Sequence, residues 1–172
     1  MMNRLRERLA EDFRLRWMLA TAAGWVIGLY AGVLNPVCFA GAGLVAGVAV
    51  GWAQRRAAAE RLPPAWLRVT LTGAALGFLP AALFGAWALL NGWAWWGVAG
   101  LVMGGGVGLA QGSLLQQGRR WAAVNALAGL VCGVLTVLPI IPGLPIGLLL
   151  GTAFYGYLTA WLLERGQILP PD

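Results

Sequence analysis

The 172-residue chain draws 60% of its residues from the set AVILMFWYC and only 10% from the charged types, and its mean hydropathy is +0.75. Soluble domains carry about 25% charged residues, so this composition excludes an ordinary soluble globular domain and predicts an integral membrane protein. All 12 basic residues are Arg, His and Lys are absent, and the formal net charge is +6. That surplus is read as membrane topology, and no nucleic-acid partner is expected.

In chain order, residues 3–16 (NRLRERLAEDFRLR) place Leu5, Leu9 and Phe13 on one helical stripe, with Arg8–Asp12 and Asp12–Arg16 pairs on the polar side. Segment 1–16 is therefore predicted as a short amphipathic helix on the membrane surface. The charged lead-in argues against a secretory signal peptide. Uncharged stretches follow at 17–54, 69–118 and 121–163, each long enough for two spans of about 20 residues. Six spans are expected, at roughly 17–34, 37–54, 67–91, 93–115, 120–139 and 145–163.

The connections alternate in character. LNP (34–36), NGWAW (91–95) and PIIPGLP (139–145) carry no charge, whereas 54–68 and 116–120 together hold six arginines and the N-terminal segment five more. The positive-inside rule places the arginine-bearing side, with both termini, in the cytoplasm. The predicted fold is all-α: a multi-pass protein of the bacterial cytoplasmic (inner) membrane with hairpins at 17–54, 66–115 and 120–163 and a tail at 164–172.

An internal repeat runs through these hairpins. Each opens with a Trp followed by two glycines four apart: Trp17, Gly24, Gly28; Trp66, Gly73, Gly77; and Trp121, Gly129, Gly133, the last pair displaced by one residue. Each return helix carries Gly47/Gly51, Gly104/Gly108 or Gly147/Gly151, with Gln54, Gln111 and Phe154 three residues after the second glycine. All copies enter from the same side, so the repeats are parallel, about a pseudo-threefold axis along the membrane normal. The twelve glycines are expected at helix-packing faces, where absent side chains let backbones approach. At 100° per residue, Gln54 and Gln111 return to the glycine face, and Asn125, four before Gly129, also faces protein. These three are the candidate buried polar groups, expected in interhelical hydrogen bonds more than in ligand contacts. Pro80 frees the carbonyl of Leu76 and predicts a kink in the third span.

The stretches RWMLATAAGWVIG, GVAVGWAQRR, GVGLAQGSLL and GTAFYGYLTAWLLERG resemble uncharacterised bacterial membrane proteins, frequent in cyanobacteria and Chloroflexi, that repeat a Trp–Ala–Gly-Trp helix and a Gly-x-x-Gln-Trp helix. This chain departs from the pattern in lacking Trp after Gln54 and Gln111 and in carrying Phe154 in place of Gln. The resemblance implies the multi-span architecture and leaves the activity open.

Apart from Arg68 and Arg120 at the inner edges of their spans, no acidic or basic residue lies within a predicted span, whereas proton relays and ion-coupled transport require one. With no His and only peripheral carboxylates, neither a catalytic residue, a metal site nor a cofactor is expected, and Cys38 and Cys132 read as apolar packing residues. The expectation is a non-enzymatic structural or accessory protein, its partners the lipid bilayer and other membrane subunits or its own copies. The alternative is a small neutral-solute channel or substrate-binding transport component.

Overall fold

The computed structural model describes residues 12–34, 42–58, 62–92, 94–136 and 146–164. Six α-helices make up the described chain: α1 (Phe13–Leu34), α2 (Ala42–Ala57), α3 (Trp66–Asn91), α4 (Ala94–Gly112), α5 (Gly118–Thr136) and α6 (Ile146–Glu164). No strand occurs among the described residues. The first and third uncharged connections lie largely outside the described residues, as does the N-terminal segment through residue 11.

Local chemistry sets several of the boundaries. Asp12 caps α1, its Oδ1 accepting the Leu15 amide at 3.2 Å, which satisfies one of the donors a helix start leaves open. The helix consequently begins at Phe13, inside the segment expected to end at residue 16. α3 ends at Gly92, whose φ of 103° suits glycine and whose amide closes on the Ala88 carbonyl at 3.0 Å. Between these ends α3 remains one helix through Pro80.

Each helix packs along its neighbours in sequence, and α6 packs back onto α1, so the six close into a ring. Hydrogen bonds join the start of α1 to the end of α6 (Trp17 to Thr159), the end of α2 to the start of α3 (Gln54 to Trp66) and the end of α4 to the start of α5 (Gln111 to Trp121). Helix direction therefore alternates around the ring. All nine charged residues within the described segments (Asp12, Arg14, Arg16, Arg55, Arg56, Arg68, Arg119, Arg120 and Glu164) fall at one end.

Glycines set the helix spacing. A Cβ built on Gly24 would lie 2.7 Å from the Val50 Cα, one on Gly73 2.8 Å from the Val107 Cα, and one on Gly47 2.9 Å from the Leu71 Cα. Gly104, Gly129 and Gly133 sit in the α4–α5 seam, where each faces backbone of the other helix. Gly77 is looser, its built Cβ 3.2 Å from the Met103 carbonyl.

Large apolar side chains are exposed on all six helices: Leu19 and Ile27; Leu44, Val48 and Trp52; Leu76, Leu79, Leu83 and Leu90; Leu101 and Leu109; Leu127; Leu149 and Phe154. Leu83 is 73% exposed and Leu90 82%, against the ordinary tendency of leucine to be buried. Two stretches, Trp66–Ala88 of α3 and Ile146–Glu164 of α6, are long and apolar enough to cross a membrane. The sequence reading expected six. In α5 the arginines at its start, and in α4 the glycines and Gln111, lower the mean hydropathy.

Adjacent glycines of α4 provide a test of this packing. Gly104→Ala drives a methyl against the Asn125 carbonyl and the Gly129 Cα, whereas the nearest neighbour of a methyl at position 105 is the Ala126 Cβ at 3.7 Å. In detergent-phase thermal unfolding, Gly104→Ala is expected to cost about 1–3 kcal/mol. Gly105→Ala is expected to be neutral or stabilising by up to about 1 kcal/mol. Equal effects would contradict the assigned seam.

Candidate functional site

Three tryptophans close the charged end of the ring. Trp17, Trp66 and Trp121 are each fully buried, with Trp66 edge-on to Trp17 at 6.1 Å and to Trp121 at 5.9 Å. Edge-to-face contacts of this kind favour the ring quadrupoles, but a buried indole N–H also needs an acceptor. Each finds it on the helix preceding it around the ring. Trp66 Nε1 donates to Gln54 Oε1 at 3.1 Å, Trp121 Nε1 to Gln111 Oε1 at 3.1 Å, and Trp17 Nε1 to Thr159 Oγ1 at 2.9 Å.

The residue four after each Trp supplies the next polar group: Thr21, Thr70 and Asn125, all fully buried. One helical turn places it directly behind the indole. Gln54 Nε2 donates to Thr21 Oγ1 at 3.2 Å, and Gln111 Nε2 donates to Thr70 Oγ1 at 2.8 Å. The second amide hydrogen of Gln111 reaches Gln54 Oε1 at 3.1 Å, a bond from α4 to α2 across the interior. Gln111 thus engages both amide hydrogens and its oxygen within the protein.

The third corner is built differently. Thr159 is too short to reach across the α5–α6 hairpin, and its hydroxyl donates instead to the Tyr155 carbonyl at 2.9 Å. Asn125 donates to the Trp121 carbonyl at 2.9 Å and accepts the Tyr155 hydroxyl. Beyond these polar residues lies a buried layer of Val50, Val107 and Tyr155. Trp25 packs edge-on against Tyr155 at 6.2 Å, at the position eight after Trp17 where the other hairpins have Ala74 and Gly129.

Gln54, Gln111 and Asn125 are all buried, but the sequence register of the third hairpin needs correction. Phe154, placed in the glutamine position, is 41% exposed. The residue against the following helix is Gly156, whose built Cβ meets Met18 and Thr21, as Gly51 meets Thr70 and Gly108 meets Ala122 and Asn125. Thr159 follows Gly156 by three, as Gln54 follows Gly51 and Gln111 follows Gly108. Gly147 and Gly151 instead face α5 at Leu135 and Cys132. The one-residue displacement of Gly129 and Gly133 has a similar result: both face α4, while Cys132 faces α6. One residue turns a helix face by about 100°, enough to change neighbours. Spacing gives no signal for this register, since Trp17 to Gln54 is 37 residues, Trp66 to Gln111 is 45 and Trp121 to Thr159 is 38.

These central layers are electrically neutral, and among the described residues no charged side chain enters them. Nor do three His, Cys, Asp or Glu side chains come together as a metal site among those residues. Charge is confined to the end face, where Arg14 pairs with Glu164 across the α1–α6 closure and Arg56 lies over the Trp52 ring at 5.4 Å. The hydrogen bond to Glu164 raises Arg14 above its ordinary guanidinium range. Comparison with family models, curated proteins and solved structures yields no match.

Replacing Gln111 by Leu keeps the volume but leaves the buried Trp121 indole and its amide partners without their bonds. The expected loss is about 1–3 kcal/mol of stability in detergent, the cost of leaving a buried N–H without an acceptor. Phe154→Leu, on the exposed face, should shift stability by less than about 0.5 kcal/mol. Thermal unfolding of the two variants side by side checks the corrected register.

Proposed function

We propose that the chain is a six-span protein of the bacterial inner membrane, a hairpin used three times about a pseudo-threefold axis. In this reading it acts without enzymatic chemistry as a structural or accessory subunit, packing on partner membrane proteins or on its own copies. The observation that carries the reading is the inversion of the usual distribution. The amides of Gln54, Gln111 and Asn125, the hydroxyls of Thr21, Thr70 and Thr159 and the indole N–H groups of Trp17, Trp66 and Trp121 are inside and hydrogen-bonded, while exposed leucines occur on all six helices. A surface of this kind is costly in water and ordinary in lipid.

Dimensions agree with the proposal. From Arg68 at the charged end of α3 to the half-exposed Trp87 is 19 residues, about 29 Å at 1.5 Å per residue, close to the ~30 Å of a bilayer hydrocarbon core. Phe84 and Trp95 stack at 5.9 Å near that uncharged end, and Trp52 with Arg56 marks the charged one. The positive-inside rule assigns the charged end to the cytoplasm. α1, α2, α4 and α5 then cross as members of the ring, their glycines and polar residues sheltered from lipid by neighbouring helices.

The accessory role is supported by the state of the interior. A channel or carrier for neutral solutes needs polar groups free to exchange partners, whereas Gln111 is saturated by Trp121, Gln54 and Thr70. The apolar outer faces are left as the recognition surface.

Topology and role have separate tests. In a background with both cysteines replaced, a membrane-impermeant thiol reagent should label Asn91→Cys in intact spheroplasts and Arg56→Cys only after permeabilisation. The reverse pattern, or labelling of both from one side, would overturn the orientation. Mild-detergent extraction with mass spectrometry should recover a stoichiometric partner or a homo-oligomer. A solitary monomer would remove the basis for the subunit role.

A further inference from the structure

The turn between α4 and α5 borders an open cavity of about 580 Å³, its walls including Leu109, Leu115, Gln117, Arg119 and Arg120. The turn is short because its two glycines let the helix ends meet: a Cβ on Gly112 would lie 2.6 Å from the Gly118 carbonyl oxygen. Residues 113–115 donate their amides back to the carbonyls of Leu109, Ala110, Gln111 and Gly112, so the end of α4 is capped internally. Gln117 Oε1 accepts a long hydrogen bond of 3.4 Å from Arg120 Nη1, which places the second guanidinium beside the first turn of α5.

The two walls differ in chemistry. Leu109 is 68% exposed and belongs to the apolar outside of α4. Arg119 and Arg120 are exposed at the charged end, and no acidic residue is among the described residues that line the cavity. The opening therefore lies where the apolar side of the ring meets its cationic end, with Leu109 on one wall and Arg119 and Arg120 on the other. An occupant complementary to both walls is an amphiphile with an anionic head. A soluble phosphate would engage the guanidinium groups and leave Leu109 unmatched.

We propose that this cavity seats the phosphate headgroup of an anionic phospholipid against Arg119 and Arg120, with an acyl chain descending along Leu109. The inference rests on the membrane reading above. Guanidinium groups bind phosphate oxygens through two parallel N–H donors, and basic residues at a membrane surface favour anionic lipid. The other inner connection serves as its control, because Arg55 and Arg56 carry the same charge at the same end and do not line this cavity.

The test titrates the full-length, detergent-solubilised protein with phosphatidylglycerol, phosphatidylcholine and inorganic phosphate, reading bound species by native mass spectrometry. Wild type should retain phosphatidylglycerol over phosphatidylcholine, and R119Q/R120Q should weaken that retention about tenfold. R55Q/R56Q, which removes the same charge from the same end, should leave it within about twofold. Equal loss in both double variants would show diffuse attraction and overturn the site, as would unchanged retention in R119Q/R120Q. Inorganic phosphate competing at equal concentration would overturn the lipid as occupant. Co-flotation with phosphatidylglycerol vesicles, run in parallel, separates the two readings. Failure of wild type to float would overturn the membrane assignment and this site together, whereas flotation without selective retention would overturn the site alone. The four positions are exposed, and an unchanged elution volume of each variant verifies the fold.

Discussion

A buried indole N–H must have an acceptor, and where the indole belongs to one helix and the acceptor to the next, that need fixes how the helices meet. The bond from Trp66 to Gln54 ties α3 to α2, the bond from Trp121 to Gln111 ties α5 to α4, and the bond from Trp17 to Thr159 ties α1 to α6. These are the seams between successive hairpins, the closing seam included. In the bilayer proposed for this chain no hydrophobic force presses helices together, so such bonds and close backbone contact would take its place. Each interhelical bond is worth about 0.6–2 kcal/mol there, and the layer connects every helix of the ring. The arrangement specifies rotation as well as proximity, since turning any helix by one residue removes its acceptor from reach.

The third corner shows how the same requirement is met with different atoms. Two corners pair a long Gln with a short Thr across the hairpin. At the third, the return helix has Thr159 and the entering helix the larger Asn125, and Tyr155 one turn further along α6 completes the contact. The interior volume is redistributed in parallel. Trp25 occupies the level where the other entering helices carry Ala74 and Gly129, and its edge meets the Tyr155 ring. One large ring among small neighbours fills the space that three mid-sized residues would, as dense packing requires. The departures from symmetry at 25, 125, 155 and 159 are therefore coupled to one another.

Much of the architecture is legible from the amino-acid order because the signals are local. Charges, prolines and uncharged loops bound the helices to within a few residues, and helix-face arithmetic from Gly47 and Gly51 puts Gln54 inside. The start of α1 escapes this reading because Asp12 serves equally as a polar-face residue and as a cap. The tryptophans escape it because an indole near a helix end has the same sequence signature in an interfacial belt as in a buried plug, and only the neighbouring helix distinguishes them. The third register escapes it because Gly147, Gly151 and Gly156 all satisfy the small-residue pattern. What separates them is whether α5 or α1 lies opposite, a fact of ring closure that no single hairpin contains.

Ring closure also bears on where function can reside. A site for a neutral solute needs donors and acceptors whose present bonds are worth no more than those the solute offers. Gln111, with both amide hydrogens and its oxygen engaged, would have to break three protein bonds to bind one guest, and Trp121 would lose its acceptor with them. Two of the broken bonds hold α4 against α2 and α5, so binding there would loosen the seams that make the site. The outer faces have no such conflict. Leu76, Leu79, Leu83 and Leu90 project from α3 without a role in the ring's own packing, and a contact on them leaves the central bonds intact. Interior polarity in this fold is consequently the means by which six glycine-rich helices keep one arrangement, and the proposed subunit role draws on the apolar outside instead.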